Sequence, residues 1–365
     1  MRIVRRFVFT AAFLVAALLM IRGARQYSDF LFMFYPGILR EVETFLSELT
    51  AKLDYVLWER IALVLLIWAG VTLLLDIILQ ENLLRWVSGV TAVAAFLLCA
   101  FVGLSGLNRY APSVAESMRL EVRSDYSVKE LRQAAAYYRD GANRAAAKVA
   151  RDDEGLFDAA EFEELGEQLG SGMKNMIRTS YVFGGSTAAP KKLNHFKRYS
   201  DGPSVYCCLT GECCIDPAVE DSAMPFLMSF EAARRMSIFR DGDAAFVAIL
   251  ACIASDSKDY NYSGYFMAYR LCMQALSELD PAEADTVAEG ESEALRADLA
   301  SAKYLPEHAV SGAWIDRVEK LDKKELGREM AEVPDAAALL VIWHKHLTEP
   351  AEAPAEESVE EPLAA

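Results

Sequence analysis

A chain of 365 residues is long enough for a membrane part and one sizeable soluble domain. Its 53 acidic residues against 37 basic ones give a formal charge of -16, and no basic stripe interrupts that excess. Nucleic acid is thereby excluded as a partner, because phosphate backbones are bound by clustered Lys and Arg. The long apolar runs all fall within residues 1-107, so the membrane is the first expected partner.

The first run, Phe7 to Ile21, follows Arg2, Arg5 and Arg6 and fits either a signal-peptide core or a short anchor. The absence of a small-residue cleavage pattern before Arg22 and Arg25 favours the anchor. From Tyr27 to Tyr55, apolar residues alternate at helical spacing with Glu41, Glu43, Glu48 and Lys52, which predicts an amphipathic helix at the surface. Two further runs, 61-79 and 86-107, approach the roughly 20 residues that cross a bilayer core. Trp58 and Trp86 stand where interfacial anchors belong, and Asp76, close to Gln80 and Glu81, reads as an interface-facing acid near a helix end. Arginines at the N-terminus favour that end inside. Three spans then place the residues after Asn108 outside.

The soluble domain is expected over 108-348, with the Pro-, Glu- and Ala-rich tail 349-365 too poor in apolar residues to fold. Ser127 and Glu130 form a capping box at the head of an alanine-rich helix, and a second helix is predicted from Ala159 to Ile177. Glycines and prolines then punctuate short β-like pieces such as SVYCCLT. Cys207, Cys208, Cys213 and Cys214 bracket a hairpin tip in a CC-x4-CC pattern. A cross-hairpin disulfide is the plain reading in an oxidising compartment, and a four-thiolate zinc site the sharper one, although adjacent pairs lack the usual knuckle spacing. The remaining cysteines sit in apolar surroundings as small hydrophobes.

Pro225 suits the first turn of a helix expected to run to Phe239, and this helix carries FEAAR with Phe230, Glu231 and Arg234. Those positions have the spacing of HExxH, in which two histidines bind zinc and the glutamate activates the bound water. Phenylalanine has no lone pair and arginine no acceptor, so neither substitute can ligate. Asp241 and Asp243 precede the apolar DAAFVAILACIA, where either capping or ligation suits an aspartate. In YSGY, from Tyr262 to Tyr265, the tyrosines could meet a substrate oxyanion, while Ser263 as a helix cap and Gly264 as a packing residue give the structural reading. His344 and His346 cannot share a helix face, and His195 and His308 are lone residues in polar contexts.

FEAARRMSIFRDGDAAF, together with YSGY, LTGECCID and GLNRYAP, resembles in order and spacing the bacterial family called domain of unknown function 3810. Its members have transmembrane helices followed by a zinc-peptidase-like domain with a motif near HExAHxxGfxxExEANF. The resemblance implies a mainly α (α+β) fold: a zincin-like helical domain with a small β-hairpin or sheet whose extended edge aligns substrate. It also implies zinc as the family's cofactor, with the ligands lost here, so that no cofactor and no metal residue are expected. Glu231 then keeps a vestigial general-base position, and Asp241 or Asp243 the place of a third ligand.

Removing zinc leaves these acids without a counter-cation, and Arg234 is expected to supply it electrostatically. The resulting expectation is a multi-pass bacterial membrane protein with an extracytoplasmic domain: a pseudopeptidase binding a peptide or envelope component through Arg234, Asp241, Asp243, Tyr262 and Tyr265. A structural, complex-forming membrane protein and a still-active hydrolase with a rebuilt site are the alternatives.

Overall fold

The computed structural model describes residues 2-121, 123, 125-177, 185, 187-194, 202-303 and 335-348. His195, His308 and the acidic tail lie outside them. Among the described residues, three helices are long and apolar enough to cross a membrane: α1 (Arg2–Gln26), α3 (Leu57–Ile78) and α4 (Leu83–Leu104). Between the first two runs α2 (Ser28–Thr50).

Contacts between α1 and α4 fix them as a parallel pair. Near their starts the Arg6 guanidinium donates to the Arg85 carbonyl at 3.0 Å, midway Phe13 meets Phe96 with ring centroids 5.4 Å apart, and farther along Met20 lies beside Gly103. At the far end Arg25 Nε donates to the Tyr110 hydroxyl at 3.0 Å. α3 returns antiparallel, tied to α4 by the Trp86 indole N–H on the Ala69 carbonyl at 2.8 Å, and Asp76 lies in its last turn.

The soluble part is built from α5 (Val114–Ser117), α6 (Val128–Ala146), α7 (Phe162–Ile177), α8 (Met224–Arg235), α9 (Asp241–Ile253), α10 (Lys258–Leu279), α11 (Pro281–Ala288), α12 (Glu293–Ser301) and α13 (Ala336–Thr348). The capping box forms as the sequence requires: Ser127 accepts from the Glu130 backbone and Glu130 accepts from the Ser127 backbone, opening α6. α9 is buried from Asp243 to Cys252, so α7, α8, α10 and α13 pack around it. Fully buried Phe246 and Phe266 illustrate the driving force, each contributing about 1.5–3 kcal/mol on leaving water.

YSGY joins these helices side chain by side chain. A Cβ on Gly264 would stand 2.6 Å from the Cys252 Cβ, so glycine is what lets α10 touch α9. Tyr265 packs over Gly141 of α6, where a Cβ would meet its ring at 2.2 Å. Ser263 does not cap its own helix, which begins earlier, at Lys258. Its hydroxyl donates to the Ser222 carbonyl and accepts from the Phe226 N–H, so it caps α8 from across the core.

Three short strands form one sheet: β1 (Lys191–Lys192), β2 (Ser204–Cys207) and β3 (Glu212–Ile215), in the order β1-β3-β2. β2 and β3 are antiparallel, with Val205 opposite Cys214, Tyr206 opposite Cys213, and Cys207 opposite Glu212. That register sets no cysteine against another. The cross-hairpin disulfide is accordingly not formed, and all seven cysteines are free thiols.

α8 also ends earlier than its residue preferences predict, at Arg235, because Ser237 takes a left-handed φ of +70° that no helix continues through.

Candidate functional site

On α8, Phe230, Glu231 and Arg234 fall within one turn and face a common space. Glu231 is fully buried. Ser204, the first residue of β2, donates its hydroxyl to Glu231 Oε1 at 2.5 Å. The other oxygen, Oε2, receives no hydrogen bond among the described residues and stands 3.8 Å from Arg234 Nη1. Arg234 points inward. Its Nη2 donates to Asp241 Oδ1 at 2.5 Å, and its guanidinium carbon lies 4.5 Å from the Phe230 ring centroid.

Burial pushes the Glu231 carboxyl above the usual carboxylate range, and Asp241 adds to that push. Arg234 and the Ser204 hydrogen bond oppose it without reversing it. Beneath this group the Cys213 thiol donates to the Glu231 carbonyl at 3.3 Å, and burial raises that thiol to about 12, so it stays neutral.

Asp243 lies apart from the cluster. Its Oδ1 accepts from the Ser113 hydroxyl at 3.0 Å and the Val114 N–H at 3.2 Å, and its Oδ2 is 3.9 Å from Arg240 Nη1. It therefore ties α9 to the segment that leaves the third apolar helix. The expected group of three acids around Arg234 reduces to two, Glu231 and Asp241. Neither aspartate caps α9 by its side chain, because Arg240 holds the N-cap position and both fall in the first turn.

The tyrosines of YSGY are also placed elsewhere. The Tyr262 hydroxyl donates to Asp298 of α12, which also holds Arg151 through both oxygens at 2.9 and 2.8 Å and the Phe157 N–H at 2.9 Å. Tyr265 is the packing residue over Gly141. The two serve helix packing, leaving Arg234, Glu231 and Asp241 as the cluster that the FEAAR reading anticipates.

Three participants carry no sequence signal of their own. Ser204 stands 27 residues from Glu231, and nothing in SVYC marks a carboxylate partner. Asp298 and Ser113 are single polar residues in ordinary helix-forming or capping contexts. Glu43 is different, since Leu39, Glu43, Ser47 and Thr50 recur at helical spacing and are all buried on one face of α2. That line was readable as a contact face.

Among the described residues, no group of three or more His, Cys, Asp and Glu side chains is placed to hold a metal ion. A wider concavity opens between α7 and the start of α10, lined by Glu164, Gln168, Ser171, Lys174, Asp256 and Asp259. It shares no lining residue with the Glu231 cluster.

No curated protein and no solved structure matches the chain. One family model does, over residues 33–315, from α2 through the central helices. That match covers well over half of the chain, and the protein belongs to the family described as protein of unknown function (DUF3810).

Proposed function

We propose that the protein is a membrane-anchored, non-hydrolysing relative of HExxH metallopeptidases that holds an extracytoplasmic peptide or cell-envelope polypeptide against the edge of its small sheet. The observation that carries this reading is the position of Arg234. Its guanidinium engages Glu231 and Asp241 together and covers the Phe230 ring, placing a fixed positive charge where the HExxH spacing would put a metal. The residues do not fit zinc, since Phe230 offers no lone pair and Arg234 is a permanent cation with donors only.

The chemistry that remains is recognition. β2 is an edge strand beginning at Ser204, beside the buried carboxylate, and sheet edges receive extended peptides through main-chain hydrogen bonds. The exposed side of the Arg234–Asp241 pair adds polar groups for a ligand carbonyl or amide. N-terminal arginines and three spans support an extracytoplasmic position for this edge in a bacterial membrane. A complex-forming protein with no ligand groove is the second reading, favoured by one fact, the complete burial of Glu231.

Metal content separates the proposal from a working hydrolase. The full-length protein is purified in nanodiscs and its zinc measured by elemental analysis, beside a Phe230→His, Arg234→His double variant. The expected result is a metal-free parent and a variant that binds zinc stoichiometrically. Zinc in the parent that is lost on Asp241→Ala overturns the reading, as does peptide hydrolysis abolished by Glu231→Gln.

A further inference from the structure

α2 has two faces, and among the described residues only one is covered by protein. The covered face carries Leu39, Glu43, Ser47 and Thr50, all buried. Thr50 donates to the Thr210 carbonyl at 3.2 Å, and a Cβ on Gly211 would stand 2.6 Å from the Ser47 nitrogen. Gly211 takes a φ of +70°, so glycine supplies both the turn and the close approach of the hairpin to α2.

Lys191 of β1 closes the join. Its ammonium donates to the carbonyls of Thr50 and Tyr55 and to Glu212, each at 2.8 Å. Glu212 in turn accepts from the N–H groups of Leu57 and Trp58 at the head of α3. The Trp58 indole, expected at the lipid interface, instead donates to Cys214 at 3.4 Å.

The opposite face is an apolar stripe interrupted by exposed Glu41 and Glu48 in its second half. Phe30, Met33, Ile38 and Phe45 are 65–70% exposed, with Phe34 between them and Leu49 beyond. A stripe this long on a water-soluble surface marks an interaction site. Its occupant follows from where the helix begins and ends.

α2 starts where α1 finishes and stops just before α3 starts, so both ends lie at ends of apolar spans. Both ends also lie on the same side. Near the first, the Tyr35 hydroxyl donates to the Gly103 carbonyl at the finish of α4; at the second, Thr50 meets the hairpin. Were α2 to cross the bilayer, one of those contacts would sit on the wrong side.

We propose that α2 lies flat in the membrane surface, its outer stripe seated in the lipid interface and its inner face carrying the hairpin and α8. α1 and α3, the helices on either side of α2 in the chain, are both long and apolar enough to cross a membrane and expose apolar side chains, which makes lipid the partner of the stripe rather than a second copy of the chain. The soluble domain is then strapped to the bilayer by a helix roughly 10 Å across, and the Glu231 cluster sits one helix above lipid.

Photocrosslinking tests the placement. Benzoylphenylalanine is introduced at Phe34 or at Phe45 in the full-length protein, reconstituted in nanodiscs of phosphatidylethanolamine and phosphatidylglycerol. Leu66, on the exposed side of α3, serves as the lipid-facing control, and Leu279, at the end of α10, as the water-facing one. The exposed positions tolerate the ring without repacking. The expected result is a mass increase of one phospholipid at Phe34 and Phe45, as at Leu66 and not at Leu279. Crosslinks to a second copy at either position, or no lipid adduct there while Leu66 gives one, overturn the proposal.

Discussion

Asp298 and Glu231 are both buried carboxylates beside an arginine, and they differ in how fully their oxygens are used. Asp298 accepts from Arg151 at both oxygens, from the Phe157 N–H and from the Tyr262 hydroxyl. Among the described residues Glu231 accepts one hydrogen bond, from Ser204, and faces Arg234 at 3.8 Å with its second oxygen. A saturated carboxylate fixes helices in place. One with an unused oxygen, at the edge of a sheet, retains capacity for a ligand. The two sites divide the sequence motifs accordingly: YSGY belongs to the first and FEAAR to the second.

The largest effect is expected where satisfaction is complete. Asp298→Ala leaves the Arg151 guanidinium, a buried N–H and a phenol without their acceptor, and should cost about 3–5 kcal/mol, read as a lowered thermal midpoint of the full-length protein. A loss below about 1 kcal/mol would mean that the Arg151–Asp298–Tyr262 group is not the brace described. Tyr262→Phe removes a single donor from the same carboxylate and should cost less, about 1.5–3 kcal/mol. If it abolished ligand binding without loss of stability, Tyr262 would belong to the binding site after all.

The division between these sites was only partly legible in the residues. Helix periodicity, the Ser127–Glu130 capping box and the Pro225 start signalled the helical frame because each is set by neighbours in sequence. The Arg234–Asp241 pair was legible for a similar reason, since seven residues separate the two. Ser204, Asp298 and Ser113 were not, because their partners come from elements 27 to 147 residues away, and tertiary packing alone chooses among many equivalent serines and aspartates. The hairpin cysteines show the same limit. Their spacing permits a disulfide, and a register that sets Cys213 opposite Tyr206 decides against it.

A third carboxylate extends the comparison to its limit. Glu43, on the inner face of α2, is fully buried, and neither of its oxygens has a hydrogen-bond partner among the described residues. Burial raises it from an ordinary 4.5 to about 9, and the Arg235 charge offsets only part of that rise. Between those values the folded protein keeps a proton that the unfolded chain has released. Stability should therefore be fullest below pH 4.5 and fall as pH rises toward 9, by roughly 1.4 kcal/mol per pH unit from this group. Glu43→Gln should flatten the dependence and stabilise the protein on the alkaline side. Denaturant midpoints at several pH values measure it, and an unchanged slope would show that Glu43 is solvated or paired in the membrane-bound protein.

The smallest effect is expected at the candidate site itself. Glu231→Gln keeps an oxygen for the Ser204 hydroxyl and removes a charge that burial disfavours, while Arg234 retains Asp241. The lost charge-assisted bond and the relieved desolvation oppose each other, so stability should change by less than about 1 kcal/mol in either direction. The sign of its pH dependence follows that of Glu43: a carboxyl raised by burial costs stability as pH climbs above its unfolded value, and glutamine removes that cost. Denaturation of Glu231→Gln beside Asp298→Ala is thus a direct reading of the difference between the two sites. Near-equal losses of several kcal/mol would make Glu231 a second structural brace and remove the basis for a ligand-binding edge at β2. A near-neutral Glu231→Gln would leave its burial unexplained by stability, the outcome that the proposed peptide-holding role of the β2 edge requires.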